Sequence, residues 1–271
     1  RQSKTQERGK KMEELLSYSH VDVAFQGNTV VHDVSFELHP GEILGIVGES
    51  GSGKSTLLKA AMGLIGKDGM VTRGDIFFRG QDIPDLSEKQ LRNICGAGIG
   101  MIFQDAGASL SPIRTIGAQI HESMASHKKI TKEEAKKQAL QLFAKLGLED
   151  GKRIWDSYPF ELSGGMKQRV GIVLAMLMEP PVLLADEPTS ALDVAVQKQV
   201  VEEMLHLRKV FGTAMILVTH DIGVVSALAD TVLVLKDGCV VEYGTAQKVL
   251  KEPCQEYTKN LLAAVPKLRR K

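Results

Sequence analysis

No stretch of this 271-residue sequence is apolar for long enough to cross a bilayer. The longest uninterrupted apolar run is Ile172 to Met178, against the roughly 18–20 residues that a membrane-spanning helix requires. A secretory leader is lacking as well, so a soluble chain is expected. Cysteine is scarce. Cys95, Cys239 and Cys254 are odd in number, widely scattered and outside any CxxC or Cys/His spacing, which excludes a disulfide framework or a zinc site and points to a reducing, cytosolic compartment. Excess charge is also missing. Thirty-four Lys and Arg stand against 33 Asp and Glu, a balance that argues against a general nucleic-acid binder, whose basic surplus would show. No internal repeat or low-complexity tract interrupts the chain.

What is present reads as an ordinary globular protein. Hydrophobic residues make up 43% and charged residues 25% of the sequence, enough to build a core without staples. The first eleven residues, RQSKTQERGKK, are polar and basic; they are set outside the fold as a native tail or an appended remnant.

Short apolar runs alternate with longer helical patterns. Val34 to Leu38 alternates apolar and polar residues, and Glu42 to Val47 (EILGIV) fits a strand covered on both faces. Leu57, Leu58, Ala61, Leu64 and Ile65 then recur at helical spacing, which predicts a helix over Ser55 to Ile65. Gly74 to Phe78 reads as a strand. Ile116 to Gly147 is Lys-rich and helix-favouring, with Leu140, Phe143, Ala144 and Leu146 as its expected buried face. Val182 to Ala185 and Ala214 to Val218 are expected buried strands, and Asp237-Gly238 marks a hairpin turn between two further ones. Strands alternating with helices predict an α/β fold with a substantially parallel sheet.

Gly48-Glu49-Ser50-Gly51-Ser52-Gly53-Lys54-Ser55 fits GxxxxGK[ST] between a predicted strand and a predicted helix, the context that this phosphate-binding motif requires. Its glycines let backbone N–H groups wrap a phosphate, and the helix N-terminus adds partial positive charge. Lys54 would reach the β/γ oxygens and the Ser55 hydroxyl would ligate Mg²⁺. Gly48, Ser50, Gly51, Ser52, Gly53, Lys54, Ser55 and Thr56 are thus the candidate nucleotide contacts. The run VLLA delivers Asp186 and Glu187 to the C-terminal end of a strand, where ligands sit in open α/β sheets. There Asp186 would hold Mg²⁺ and Glu187 would deprotonate the attacking water. His220 follows a second such strand and is placed to sense a γ-phosphate.

Leu162 to Arg169 reads LSGGMKQR. A Ser hydroxyl and two Gly amides at a helix start make a second anion site, and the segment resembles the LSGGQ signature of the ABC ATPases. Other motifs of that family occur in order: Phe25 matches the aromatic that stacks on adenine, Gln104 (in MIFQD) the Q-loop, Ser190-Ala191-Leu192-Asp193 the D-loop and His220 the switch histidine. The resemblance spans about Leu15 to Pro266.

It implies a P-loop NTPase with a RecA-like core near residues 20–104 and 180–250, an antiparallel β subdomain, and a helical signature subdomain near 105–180. The ABC ATPase domain would cover 12–250 and a C-terminal tail 251–271. ATP and Mg²⁺ are the implied ligands, with Glu187, His220 and Gln104 catalytic and Ser55, Gln104 and Asp186 toward the metal. Ser163, Gly164, Gly165 and Asp193 would close on ATP held by the opposite subunit of a head-to-tail dimer, so the first partner is a second ABC ATPase chain, identical or paralogous. GIVGESGSGKST, YPFELSGGMKQRV, ADEPTSALDV and the closing YTKNLLAAVP resemble ATPases of oligopeptide, dipeptide and nickel importers. That implies two membrane permease subunits, an indirect solute-binding protein, no nucleic acid, and a place on the cytoplasmic face of the membrane. Peptide, nickel and metallophore are the open cargoes. Ala106-Gly107-Ala108, Ser111 and Pro253-Cys254-Gln255-Glu256-Tyr257-Thr258 depart from the group's usual residues, and the cysteine cluster of some members is missing. The alternative is a soluble ABC ATPase of an enzyme assembly, such as the carbon–phosphorus lyase system.

Overall fold

The computed structural model describes residues 14–190 and 192–264. The polar segment 1–11, Ala191 and the last residues of the C-terminal tail lie outside the described residues. The strands are β1 (Leu16–Phe25), β2 (Asn28–Leu38), β3 (Ile43–Val47), β4 (Gly69–Phe78), β5 (Gln81–Asp82), β6 (Ile99–Ile102), β7 (Val182–Asp186), β8 (Ala214–Val218), β9 (Thr231–Lys236) and β10 (Cys239–Thr245). They form one sheet in the order β5-β4-β1-β2-β10-β9-β3-β8-β7-β6. The helices are α1 (Lys54–Ala61), α2 (Glu88–Ile94), α3 (Ala106–Ser109), α4 (Ile116–Ala125), α5 (Lys132–Lys145), α6 (Gly151–Asp156), α7 (Gly164–Met176), α8 (Val194–Phe211), α9 (Ile222–Leu228), α10 (Ala246–Lys251) and α11 (Glu256–Ala263).

One half of the sheet is parallel and the other antiparallel. β9, β3, β8, β7 and β6 run together, whereas β1 pairs antiparallel with both β2 and β4. The two halves meet where β10, antiparallel to β9, pairs with β2 through Cys239 and His32. Every residue of β3, β7 and β8 is buried, because helices cover both faces of a parallel sheet. Successive side chains point to opposite faces. Leu44, Ile46, Leu184 and Ile216 therefore join α1 and the antiparallel strands in one core, while Val47, Leu183, Ala185 and Leu217 join α7, α8 and α9 in the other. At roughly 1.5–3 kcal/mol per fully buried aliphatic side chain, these strands outweigh the ~1 kcal/mol that a helix cap contributes, and they fix where the loops at their ends must sit.

Two expectations are corrected. The first helix stops at Ala61, not Ile65: Gly63 adopts φ 63°, and the N–H of Leu64 bonds back to Lys59 O at 2.8 Å while that of Gly63 bonds to Ala60 O at 3.1 Å. This left-handed cap turns the chain out and leaves Leu64 exposed. The helical stretch from Ile116 to Gly147 is two helices, with Thr131 capping the second through the N–H of Glu134 and Glu134 returning the bond. Its buried face is Ala135, Ala139, Leu142 and Phe143; Ala144 is exposed and Leu140 half-buried.

Candidate functional site

Parallel strands present their C-terminal ends along one edge, so the loops after β3, β7 and β8 meet there. The loop after β3 is the glycine-rich segment. Gly53 precedes α1 at φ 97°, a left-handed conformation that suits glycine. Gly48 is required by close approach, since a Cβ there would come within 2.1 Å of Leu235 O. Lys54 Nζ folds back over this loop and donates to Gly48 O at 2.9 Å and Glu49 O at 2.7 Å. Burial lowers the Lys54 pKa, and the nearby carboxylates of Glu187, Asp186 and Glu49 work against that shift.

The last residue of β7, Asp186, and the first after it, Glu187, bring the carboxylates. Ser55 Oγ donates to Asp186 Oδ1 at 2.7 Å. Burial raises the Asp186 pKa, opposed first by that bond to Ser55 and then by the charge of Lys59. Glu187 follows at φ 49°, a conformation uncommon outside glycine. It extends the β7–β8 pairing through its N–H to Val218 O at 2.8 Å. His220, delivered by the loop after β8, places Nδ1 2.9 Å from Oε1 and 2.7 Å from Oε2 of Glu187. The ring nitrogen thus faces both carboxylate oxygens. The histidine ring itself is 68% exposed.

Lys54, Ser55 and Glu187 border a cavity of about 300 Å³ that Phe25, Val30, Ser50, Gly51, Gly53, Thr56 and Gln104 also line; Asp186 and His220 stand outside its lining. Ser52 is buried behind the loop, its carbonyl accepting the Gly238 N–H. The donors beside Ser55 and Asp186 are oxygens, the set that suits a hard divalent cation. Among the described residues no cluster of three or more His, Cys, Asp or Glu side chains could hold a metal, and a magnesium site that completes its shell with water and phosphate needs none.

The Ser163 and Asp193 group lies elsewhere. Ser163 caps α7 by accepting the Met166 N–H at 3.3 Å. Asp193 caps α8 by accepting that of Val196 at 3.0 Å. Together with Gly164 and Gly165 they line a second cavity of about 370 Å³ that shares no residue with the first. Gln104 lines the first cavity and also a groove beside Gly164 and Gln168.

Two polar residues escaped the sequence reading. Gln168 is buried and its Nε2 donates to Pro188 O at 2.8 Å, tying α7 to the turn after Glu187. Arg169 forms a buried ion pair with Glu203 on α8. The signal was available for Gln168: it stands one helical turn before the buried Ile172, on the inward face.

A family model described as ABC transporter matches residues 31–190. The chain is 44% identical to the oligopeptide transport ATP-binding protein AmiE of Streptococcus pneumoniae over 248 residues, covering 91% of this chain and 70% of AmiE. It is 43% identical to the dipeptide transport ATP-binding protein DppD of Bacillus subtilis, covering 95% and 78%. Among solved structures, the dimeric post-hydrolysis state of the ATP-binding cassette MJ0796 bound to ADP and Pi superposes with a TM-score of 0.74 at 30% identity, covering 85% of this chain and 98% of that one. The chain is thus an ATP-hydrolysing cassette and belongs to the ABC transporter family.

Proposed function

We propose that this chain powers the import of peptides, working as one of two ATPase subunits that close head to tail. One observation carries the proposal: the site residues divide between two cavities of the same chain that share no residue, the first lined by Lys54 and Glu187 and the second by Ser163 and Asp193. A second chain turned head to tail brings its Ser163 surface over the first chain's Lys54, and the reverse. The dimeric form of the solved cassette MJ0796 supports this reading. The cargo follows from AmiE and DppD, whose names specify oligopeptide and dipeptide transport; neither name speaks for nickel, a metallophore or a soluble enzyme assembly.

Within that frame each side chain has work to do. Phe25 stacks on adenine. Backbone amides from Ser50 to Thr56 cradle the phosphates at the start of α1, and Lys54 exchanges two carbonyl partners for β/γ oxygens. Ser55, Asp186 and Gln104 would hold Mg²⁺, which when bound neutralises charge on the phosphates. Glu187 takes the proton of the attacking water, while His220, within 2.9 Å of both carboxylate oxygens, fixes the carboxylate. Ser163, Gly164, Gly165 and Asp193 offer a hydroxyl, amides and a carboxylate to the nucleotide on the opposite chain.

The residues 12–250 act as the ATPase domain, with 105–180 as a helical unit carrying the signature and 251–271 as a tail. Two membrane permease subunits receive the closure, a solute-binding protein is served indirectly, and the chain sits on the cytoplasmic face of the membrane. The test is Glu187→Gln with ATP and Mg²⁺. The expected result is an ATP-loaded pair of chains at twice the 29.5 kDa mass by light scattering. ATP held by single chains would refute the head-to-tail arrangement.

A further inference from the structure

The segment after β10 is used by none of these steps, yet it reaches the phosphate loop. The Glu242 carboxylate on β10 accepts the backbone N–H groups of Cys254 at 2.8 Å and Gln255 at 3.2 Å, which seats the start of α11. Thr258 is 1% exposed, and Tyr257, Leu261 and Leu262 pack against the core shared by β3, β7 and β8. From this seat Tyr257 Oη accepts the N–H of Glu49 at 3.3 Å, and Lys236 Nζ lies 5.0 Å from the centre of its ring. Burial raises the phenol's pKa, opposed by the bond from the Glu49 N–H and helped by the nearby carboxylates of Glu49 and Asp237.

The peptide unit that Tyr257 holds is the one that matters. Its N–H belongs to Glu49, and its carbonyl is that of Gly48, which accepts Lys54 Nζ at 2.9 Å. Hydrogen bonds at the two ends of one peptide polarise and strengthen each other. On its other side the same peptide lies against Leu235 O of β9, close enough that only glycine fits at position 48. The peptide is therefore clamped between β9 and α11, and Lys54 is parked on it.

We infer that Tyr257 is a positioning residue for ATP binding: α11 braces the Gly48–Glu49 peptide so that the loop is already shaped when phosphate arrives and Lys54 changes partners. The inference rests on reading this loop as the phosphate site. Tyr257 does not line the cavity beside Lys54. It acts through the peptide, and it gives the C-terminal segment a part in nucleotide affinity.

The experiment is Tyr257→Phe in the full chain, which removes the hydroxyl and keeps the ring under Lys236. ATP affinity is expected to fall about fivefold, the size of one modest hydrogen bond. Turnover at saturating ATP should stay within about twofold of the parent, and the thermal midpoint should not move. Parental affinity in Tyr257→Phe would overturn the inference, as would an affinity loss that comes only with a lowered midpoint. Lys54→Ala run alongside separates the two levels. If it loses ATP and Tyr257→Phe does not, the brace alone is wrong; if it keeps ATP, the phosphate-site reading is wrong.

Discussion

Glu187 shows how much of the chemistry hangs on single backbone angles. Its φ of 49° is a left-handed conformation that costs an L-residue roughly 1–2 kcal/mol. The cost is offset by the N–H bond to Val218 O and by Ser190, whose N–H and hydroxyl both reach the Glu187 carbonyl, at 3.0 and 2.9 Å. In return the carboxylate turns toward His220 instead of continuing along the strand. Replacing the acid by its amide should keep ATP binding and cut phosphate release about 10²- to 10⁴-fold; parental turnover would remove Glu187 as the base. Lys54 carries a different burden. Its ammonium must leave two carbonyls for phosphate, so Lys54→Ala should weaken ATP binding by about 10- to 100-fold in equilibrium titration, and unchanged affinity would contradict its role. The identities of these residues were legible because GxxxxGK[ST] and an apolar run ending in Asp-Glu are local patterns. The backbone angle at Glu187 was not, since nothing within a few residues of it encodes a non-glycine left-handed turn.

Elements follow the same division between local and distant causes. β3, β7 and β8 could be read from sequence because burial on both faces makes them continuous apolar runs. β1 (LSYSHVDVAF) could not, as it mixes polar and apolar residues and owes its place to pairing with β2 and β4. The end of α1 was hidden inside the run Met62-Gly63-Leu64-Ile65, where the glycine cap sits among apolar neighbours. Helix α7 is where distant contacts matter most, for Gln168 and Arg169 tie it to Pro188 and Glu203. Gln168→Leu leaves the Pro188 carbonyl without its buried donor, so a loss of about 1–3 kcal/mol is expected in urea unfolding; an unchanged midpoint would show the tie to be idle. Burial pushes the Glu203 carboxyl up from 4.5 to about 7, against the pull of Arg169. The folded chain thus binds that proton more tightly than the unfolded chain. The resulting stability is present below pH 4.5 and fades as pH rises to about 7. Thermal melts across this window should show the decline in the parent and a flatter profile in Glu203→Gln. Parallel profiles would mean that Glu203 does not set the slope.

At the scale of the whole molecule, the proposed site residues fall in two separate cavities, and the head-to-tail reading makes each of them half of a site. No helix among the described residues is long and apolar enough to cross a membrane, and the proposed import function assigns the crossing to the two permease subunits. Co-purification with two polytopic membrane proteins is the expected outcome of a gentle detergent pull-down, and a stable complex with soluble enzymes instead would favour the assembly-ATPase reading. The near-neutral charge of the sequence accords with anion binding confined to backbone amides and Lys54. The family resemblance of the motifs implies a site shared across subunits. What the sequence could not convey was the distribution of the same residues over two separate cavities, because that depends on how α7 and α8 are carried on the sheet.

The most direct test of this arrangement is the ATP affinity of the isolated Ser163→Ala chain, whose assembled ATPase should turn over about 10²-fold more slowly for want of one transition-state donor. A site shared between chains predicts that the isolated variant binds ATP as tightly as the parent, since Ser163 serves the other chain's nucleotide. An affinity that falls in step with turnover would place Ser163 on its own chain's ATP and contradict the account.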